Sequence, residues 1–211
     1  MSRILVLFVF WLLWLQPLRA ETITVLALGD SLTAGLGLDA PQAFPQRMEQ
    51  ALQARGHDVE IINAGVSGDT ALQGYERLEW ALGGAEGALV DAVMVELGAN
   101  DALRGLPPEQ AEAALDRILQ VLGDRKLPVL LAGMRAPPNL GPAYVAAFDG
   151  MYGRLAAKHG VLLYGFFLEG VAADARLNQS DGIHPNAMGV DVIVARLLPD
   201  VEKLLAEVPK P

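Results

Sequence analysis

Ile23-Thr24-Val25-Leu26-Ala27-Leu28-Gly29-Asp30-Ser31-Leu32-Thr33-Ala34-Gly35 joins a short apolar run to a glycine-bounded turn that carries a hydroxyl. Six apolar or β-compatible residues closed by glycine read as a buried strand over residues 23–28. A strand apolar on both faces belongs in a parallel sheet covered on both sides by helices. Ser31 then stands just beyond the carboxyl end of the first strand, where open parallel sheets gather their chemistry.

Outward from that stretch the same pattern repeats. Apolar runs at residues 59–62, 88–95, 129–132 and 161–164 read as four more strands. Between them, residues 44–54, 70–82, 109–122 and 142–158 carry apolar side chains at helical spacing, and 186–206 adds a C-terminal helix containing Pro199. Strand–helix alternation of this kind predicts an α/β fold with right-handed crossovers, a five-stranded parallel sheet and helices on both faces. No internal repeat or low-complexity linker interrupts it, and Pro137-Pro138-Asn139-Leu140-Gly141-Pro142 reads as a loop. The 211 residues suit one domain over residues 21–211.

Residues 1–20 differ from the rest. Arg3 opens them, an apolar run of 12 residues follows from Ile4 to Leu15, and Gln16-Pro17-Leu18-Arg19-Ala20 ends it. That order is a secretory signal's, and the run falls short of the ~20 residues that cross a bilayer core. Cleavage near Ala20 is expected, giving an exported, periplasmic or secreted protein with no stable membrane anchor. Without residues 1–20, which hold two arginines and no acid, the net charge of −9 becomes −11. A surface this acidic repels nucleic acid. Cysteine is absent, which excludes disulfides and a thiol nucleophile. His57, His159 and His184 share no metal-ligand spacing, so neither metal nor cofactor is expected.

An alcohol is a weak nucleophile at neutral pH and needs an imidazole to take its proton and a carboxylate to orient that imidazole. Asp181-Gly182-Ile183-His184-Pro185 offers both within one turn. After the second strand, Asn63-Ala64-Gly65-Val66-Ser67-Gly68-Asp69-Thr70 brings flexible backbone donors, and after the third, Glu96-Leu97-Gly98-Ala99-Asn100-Asp101 brings an amide side chain. Together these form a complete acyl-transfer site on one edge of the sheet. Gly-x-Ser-x-Gly is absent, which disfavours a nucleophile-elbow fold. Asp30 and Asp101 read as acceptors for loop amides. Glu96, inside an apolar run, calls for a partner such as Arg104 or a backbone donor. Asn63 reads as a loop tie, and His57 and His159 as solvent-exposed.

Gly29-Asp30-Ser31-Leu32, Gly68, Gly98-Ala99-Asn100-Asp101 and Asp181-Gly182-Ile183-His184 resemble, in order, the four sequence blocks of the GDSL, or SGNH, hydrolase family. Ser67-Gly68-Asp69-Thr70, Val95-Glu96-Leu97-Gly98, Leu103-Arg104-Gly105 and Phe166-Phe167 extend the resemblance to its bacterial thioesterase I, lysophospholipase L1 and arylesterase branch, over nearly all the chain after residue 20. The resemblance implies a flavodoxin-like three-layer sandwich, Ser31 as nucleophile, His184 as base and Asp181 as its partner. It also implies an oxyanion hole of the Ser31 and Gly68 amides with the Asn100 side chain. Departures fall at Ala99 and Pro137-Pro138, which bear on chain length and not on catalysis.

The expected substrates are acyl esters, including aryl esters and lysophospholipids and extending to acyl thioesters, handled by a monomer. Leu72, Leu106, Pro137, Leu140 and Phe166 are the expected groove residues, with Phe44, Tyr75 and Phe167 as further candidates for the same surface. Competing readings are an acyltransferase or a carbohydrate deacetylase, which share the acyl-enzyme chemistry, and a catalytically inactive lipid-binding module.

Overall fold

The computed structural model describes residues 22–83 and 90–209. The expected signal segment and the first two residues of the expected 88–95 strand lie outside them. The elements run β1 (Ile23–Gly29), α1 (Ser31–Ala34), α2 (Phe44–Ala54), β2 (Val59–Gly65), α3 (Ala71–Glu76), α4 (Leu78–Gly83), β3 (Ala92–Glu96), α5 (Ala99–Leu103), α6 (Pro108–Asp124), β4 (Val129–Ala132), α7 (Pro142–His159), β5 (Leu162–Tyr164) and α8 (Ala187–Glu207). All strand pairs are parallel, in the order β2-β1-β3-β4-β5. This is the doubly wound order of flavodoxin-like sheets.

Both faces of the sheet are covered. Helix α2 packs with α8 over one face, while α3, α6 and α7 pack in series over the other. The five residues of β3 and the last five of β1 are accordingly buried throughout, whichever way their side chains point. Phe148 and Tyr152 of α7 meet edge to face at 5.8 Å in the core beneath β3 and β4, and Phe44 meets Phe167 edge-on at 5.0 Å on the α2 side.

The register fixes where chemistry can be placed. Gly65, Gly29, Glu96, Ala132 and Tyr164 form one row across the sheet, the last residues of all five strands. The loops after β1, β3 and β4 therefore begin at the same level. Because β1 is flanked by β2 on one side and β3 on the other, the crevice between the β1 and β3 ends is the switch point where doubly wound sheets open to ligands. Gly65 lets α1 sit down on this row, since a Cβ there would lie 2.2 Å from the Ala34 nitrogen.

The expected helix 70–82 is two short helices. Thr70 is its cap, with Oγ1 accepting from the Gln73 amide at 3.4 Å and the Gln73 side chain accepting from the Thr70 amide at 3.0 Å. The break falls at Arg77, whose backbone (φ −103°, ψ 2°) departs from helical values. Its guanidinium binds the Asp69 carboxylate at 2.5 Å and the Gly29 carbonyl at 2.8 Å, tying the loop after β2 to the end of β1.

Candidate active site

Ser31 is the first residue of α1, directly behind the cap that the Asp30 carboxylate forms with the Leu32 amide at 3.0 Å. Its side chain is largely covered, at 8% exposure, yet its hydroxyl reaches the site cavity. His184 Nε2 lies 2.9 Å from Ser31 Oγ, and His184 Nδ1 lies 2.8 Å from Asp181 Oδ2. A carboxylate at Nδ1 holds the ring in the Nδ1–H tautomer, which leaves Nε2 to accept the hydroxyl proton.

Local hydrogen bonds build the histidine turn. Asp181 Oδ1 accepts from the amides of Ile183 at 2.9 Å and His184 at 3.0 Å. These amides, the His184 one foremost, hold the Asp181 carboxyl down to about 2, so it is ionised at any working pH. Gln179 secures the turn, donating from Nε2 to the Leu36 carbonyl at 2.7 Å and the Pro185 carbonyl at 3.0 Å. Gln179 thus binds the histidine loop to the chain that follows Ser31, a role its place in the sequence does not signal.

Asn100, the second residue of α5, turns its amide into the same crevice. Its Nδ2 donates to Asp30 Oδ2 and to the Asp69 carbonyl, both at 3.0 Å. Both amide hydrogens are thus engaged, one by a buried anion and one by a neutral backbone oxygen. Gly68 is the residue before that carbonyl, and its own carbonyl accepts from Arg104 Nη2 at 2.6 Å. Arg104 is therefore not the partner of Glu96. Glu96 instead accepts from Thr33 Oγ1 at 2.8 Å and, at 3.5 Å, from the Asp30 amide. Burial pushes Asp30 up to about 6 and Glu96 well above the usual carboxylate range. Asp101 accepts from the Ala71 amide at 2.8 Å, and Asn63 accepts from the Gly65 amide at 3.0 Å.

The cavity at Ser31 and His184 measures about 180 Å³, and its apolar wall comes from Leu32, Leu103, Met134, Pro137, Leu168 and Ile183. Of the expected groove residues, Pro137 lines it. Leu72 and Leu106 line a separate cavity of about 260 Å³ between the α3 start and α6, because the loop after α5 folds back toward α6. Leu140 packs against the core from a short 3-10 turn, and Phe166 lies beneath the Arg135 guanidinium at 4.8 Å. Phe44 and Phe167 are core, and Tyr75 is half-buried under Arg117. Met134 and Arg135 follow β4 as Ser31 follows β1, so their position after a strand end was the available signal. A larger cavity, about 620 Å³, runs along α2 and the end of β2 and does not include Ser31, Asn100 or His184. It carries no comparable convergence of reactive groups.

The other histidines are paired elsewhere. His57 binds Glu202 at 3.2 Å. His159 binds Asp116 at 2.7 Å with its side chain only 11% exposed, so the expectation of solvent exposure fails for it: the α7 C-terminus turns the ring onto α6. Among the described residues, no group of three His, Asp or Glu side chains is placed to hold a metal ion, and no helix is long and apolar enough to cross a membrane.

Residues 27–192 match the GDSL-like lipase/acylhydrolase family. Esterase TesA of Pseudomonas aeruginosa is 38% identical over 187 residues, spanning 89% of this chain and 92% of its own. The thioesterase 1/protease 1/lysophospholipase L1 of Escherichia coli K12 is 40% identical over 163 residues, 77% of this chain and 76% of its own. The crystal structure of AlinE4, an SGNH-hydrolase family esterase, superposes with a TM-score of 0.74 at 46% identity, covering 89% of this chain and 98% of that one. By fold and by relationship, the chain is a serine ester hydrolase belonging to the GDSL-like lipase/acylhydrolase family.

Proposed function

We propose that the enzyme cleaves acyl oxygen esters through an acyl-Ser31 intermediate, with His184 as general base and Asp181 as the group that orients it. The observation that carries this reading is the unbroken contact from Asp181 to His184 to Ser31, at 2.8 and 2.9 Å, on the wall of an apolar cavity. Ser31 Oγ attacks the ester carbonyl as His184 Nε2 takes its proton. The tetrahedral oxyanion is met by the Ser31 and Gly68 amides and by Asn100 Nδ2, which turns one hydrogen from the Asp69 carbonyl toward the substrate. His184 returns the proton to the departing alkoxide. Water then attacks the acyl-serine with His184 again as base, and the carboxylic acid leaves.

A cavity of about 180 Å³ is small beside the ~300 Å³ at which ligand pockets usually begin. Short acyl groups fill it, and longer ones emerge past the exposed Leu103 and Ile183. Lysophospholipids and acyl thioesters are the substrate classes that the Escherichia coli relative's name brings to this chain, and aryl esters come from an arylesterase of Vibrio mimicus that is 37% identical over 185 residues, 88% of this chain and 90% of its own. The signal-like order of residues 1–20 supports export, which leaves oxygen esters as the substrates within reach. The complete serine–histidine–aspartate contact favours an active hydrolase over an inactive lipid-binding module.

Purified residues 21–211 are assayed on p-nitrophenyl esters from acetate to palmitate, with Ser31→Ala in parallel. A fluorophosphonate should label the native protein once and Ser31→Ala not at all. Turnover should be lost in Ser31→Ala and should be highest on short chains. A folded Ser31→Ala that hydrolyses at the native rate would sink the acyl-serine reading.

A further inference from the structure

Two buried carboxyls meet beneath the Ser31 turn. Asp30 has no exposed surface, and Glu96, opposite Gly29 in the β1–β3 register, is 3% exposed. The Asp30 amide lies 3.5 Å from Glu96 Oε2, which sets the two carboxyls side by side, and two neighbouring carboxyls in a dry site cannot both be ionised without a large penalty. Their donors are unequally divided. Asp30 accepts from the Leu32 amide and Asn100 Nδ2, each at 3.0 Å. Glu96 receives one short bond, from the buried Thr33 hydroxyl at 2.8 Å, and its Oε1 is buried with no partner. A carboxylate oxygen in that position would be costly, whereas the carbonyl oxygen of a neutral acid tolerates it far better.

The surroundings agree. Thr33 faces the pair from α1, Asn100 from α5, Tyr152 from α7 with its hydroxyl on the Leu97 carbonyl at 2.9 Å, Asp69 with its Arg77 partner from the loop after β2, and His184 from the loop before α8; Asp101 of α5 is turned to the Ala71 amide. Apart from burial, the strongest push on Glu96 is the charge of Asp30, another anion.

We propose that Glu96 serves as a neutral carboxylic acid and positioning residue, donating its O–H to Asp30 so that Asp30 remains an anion turned toward the Asn100 amide. The pair then carries one proton while the enzyme works. Asp30 and the Asp69 carbonyl clamp Asn100 from both sides, and Glu96 holds Asp30 in its place in that clamp. Loss of the Glu96 proton would set a second charge against Asp30, displace it and slacken Asn100. The kinetic part of this inference rests on the roles assigned above to Ser31 and Asn100; the protonation of Glu96 does not.

The test compares native enzyme with Glu96→Gln and Glu96→Ala. Glutamine reproduces a neutral acid: one donor for Asp30, one acceptor for Thr33. The infrared spectrum of native enzyme at neutral pH should contain the carbonyl stretch of an un-ionised carboxyl, shifted in D2O and missing from Glu96→Gln. Glu96→Gln should keep kcat within about threefold and lose whatever alkaline decline in kcat and melting temperature the native enzyme shows. Glu96→Ala should lose roughly tenfold or more in kcat with KM held, because Asn100 acts on the transition state. Identical carboxyl infrared regions in native and Glu96→Gln enzymes would overturn the proposal. So would a well-folded Glu96→Gln whose kcat falls about a hundredfold, the mark of a required carboxylate. Should Glu96→Ala fail to fold, Glu96→Gln decides. Activity surviving in Ser31→Ala would refute the acyl-serine reading and leave the infrared result to judge Glu96.

Discussion

Asn100→Ala separates catalysis from architecture, because the side chain has a visible structural job that must be subtracted. Its amide donates to Asp30 Oδ2 and to the Asp69 carbonyl, both at 3.0 Å. Truncation leaves a fully buried Asp30 oxygen without that donor, which costs about 1–3 kcal/mol of stability. Loss of one oxyanion donor slows turnover by roughly 10²- to 10³-fold, or about 2.7–4 kcal/mol of barrier. The bond to Asp69 joins a neutral carbonyl, so that hydrogen is the cheaper one to divert to a substrate oxyanion; the bond to the Asp30 anion is about twice as strong and stays. Turnover of p-nitrophenyl butyrate and urea unfolding measure the two losses separately. The expected result is a kcat lower by at least a hundredfold, KM little changed, and unfolding stability reduced within the range above. A destabilised Asn100→Ala that keeps more than a tenth of native kcat would show that the amide only ties loops together, and would refute its place in the oxyanion hole.

Gly98 sits at φ +113°, and an added Cβ would lie 2.4 Å from the Tyr152 hydroxyl, so Gly98→Ala should lose about 1–3 kcal/mol of stability by urea titration and much of the activity. Because its neighbouring amides hold the Asp181 carboxyl to about 2, Asp181→Asn should lower kcat by several decades, on the order of 10⁴ at most. The acid limb of native kcat/KM should contain no step near pH 4 that vanishes in this variant. The raised Asp30 carboxyl works the other way on stability: the folded chain keeps a proton that the unfolded chain releases near 3.8, so stability falls as pH climbs from about 4 to about 6. Referenced to Asp30→Asn, unfolding titrations across that window should show the native enzyme losing on the order of 2–3 kcal/mol, and a gain would contradict the burial argument. Arg135, on the cavity wall above Phe166, should distinguish charged substrates: Arg135→Gln is expected to raise KM for esters bearing an anionic group and leave neutral esters unchanged in paired kinetic assays.

What could be read from the sequence tracks how locally each feature is determined. Residues 44–54 carry their own periodicity and form α2 over the expected span, and 129–132 does the same for β4. Residues 70–82 carry it equally well, yet the helix breaks, because Arg77 answers to Asp69 and Gly29, eight and forty-eight residues away. The reactive contact is legible for a related reason. Asp181 and His184 are joined within one turn by bonds spanning two and three residues, and Ser31 needs only the strand end before it, so each half exists before the sheet brings them together.

The cavity wall obeys no such rule. Leu72, Leu106, Pro137, Leu140 and Phe166 are apolar loop or helix-edge residues that composition cannot rank. Which of them faces Ser31 depends on how α6 and α7 tilt the loops after α5 and β4; Tyr144 of α7, for example, pins the Leu106 carbonyl at 2.6 Å and draws that loop away. Leu103, Met134 and Ile183 take the places that Leu72 and Leu106 do not. Glu96 shows the same limit for polar groups: its burial demanded a partner, and the sheet register, which sets it against Gly29, delivered Thr33 and Asp30 in place of Arg104. On the proposed reading, the contact from Asp181 to His184 to Ser31 is encoded by neighbours in the chain, while the shape of the cavity wall is encoded by packing between helices. Substitutions that change acyl-chain preference should therefore cluster at Leu103, Met134, Pro137 and Ile183 and leave the Ser31–His184 distance untouched.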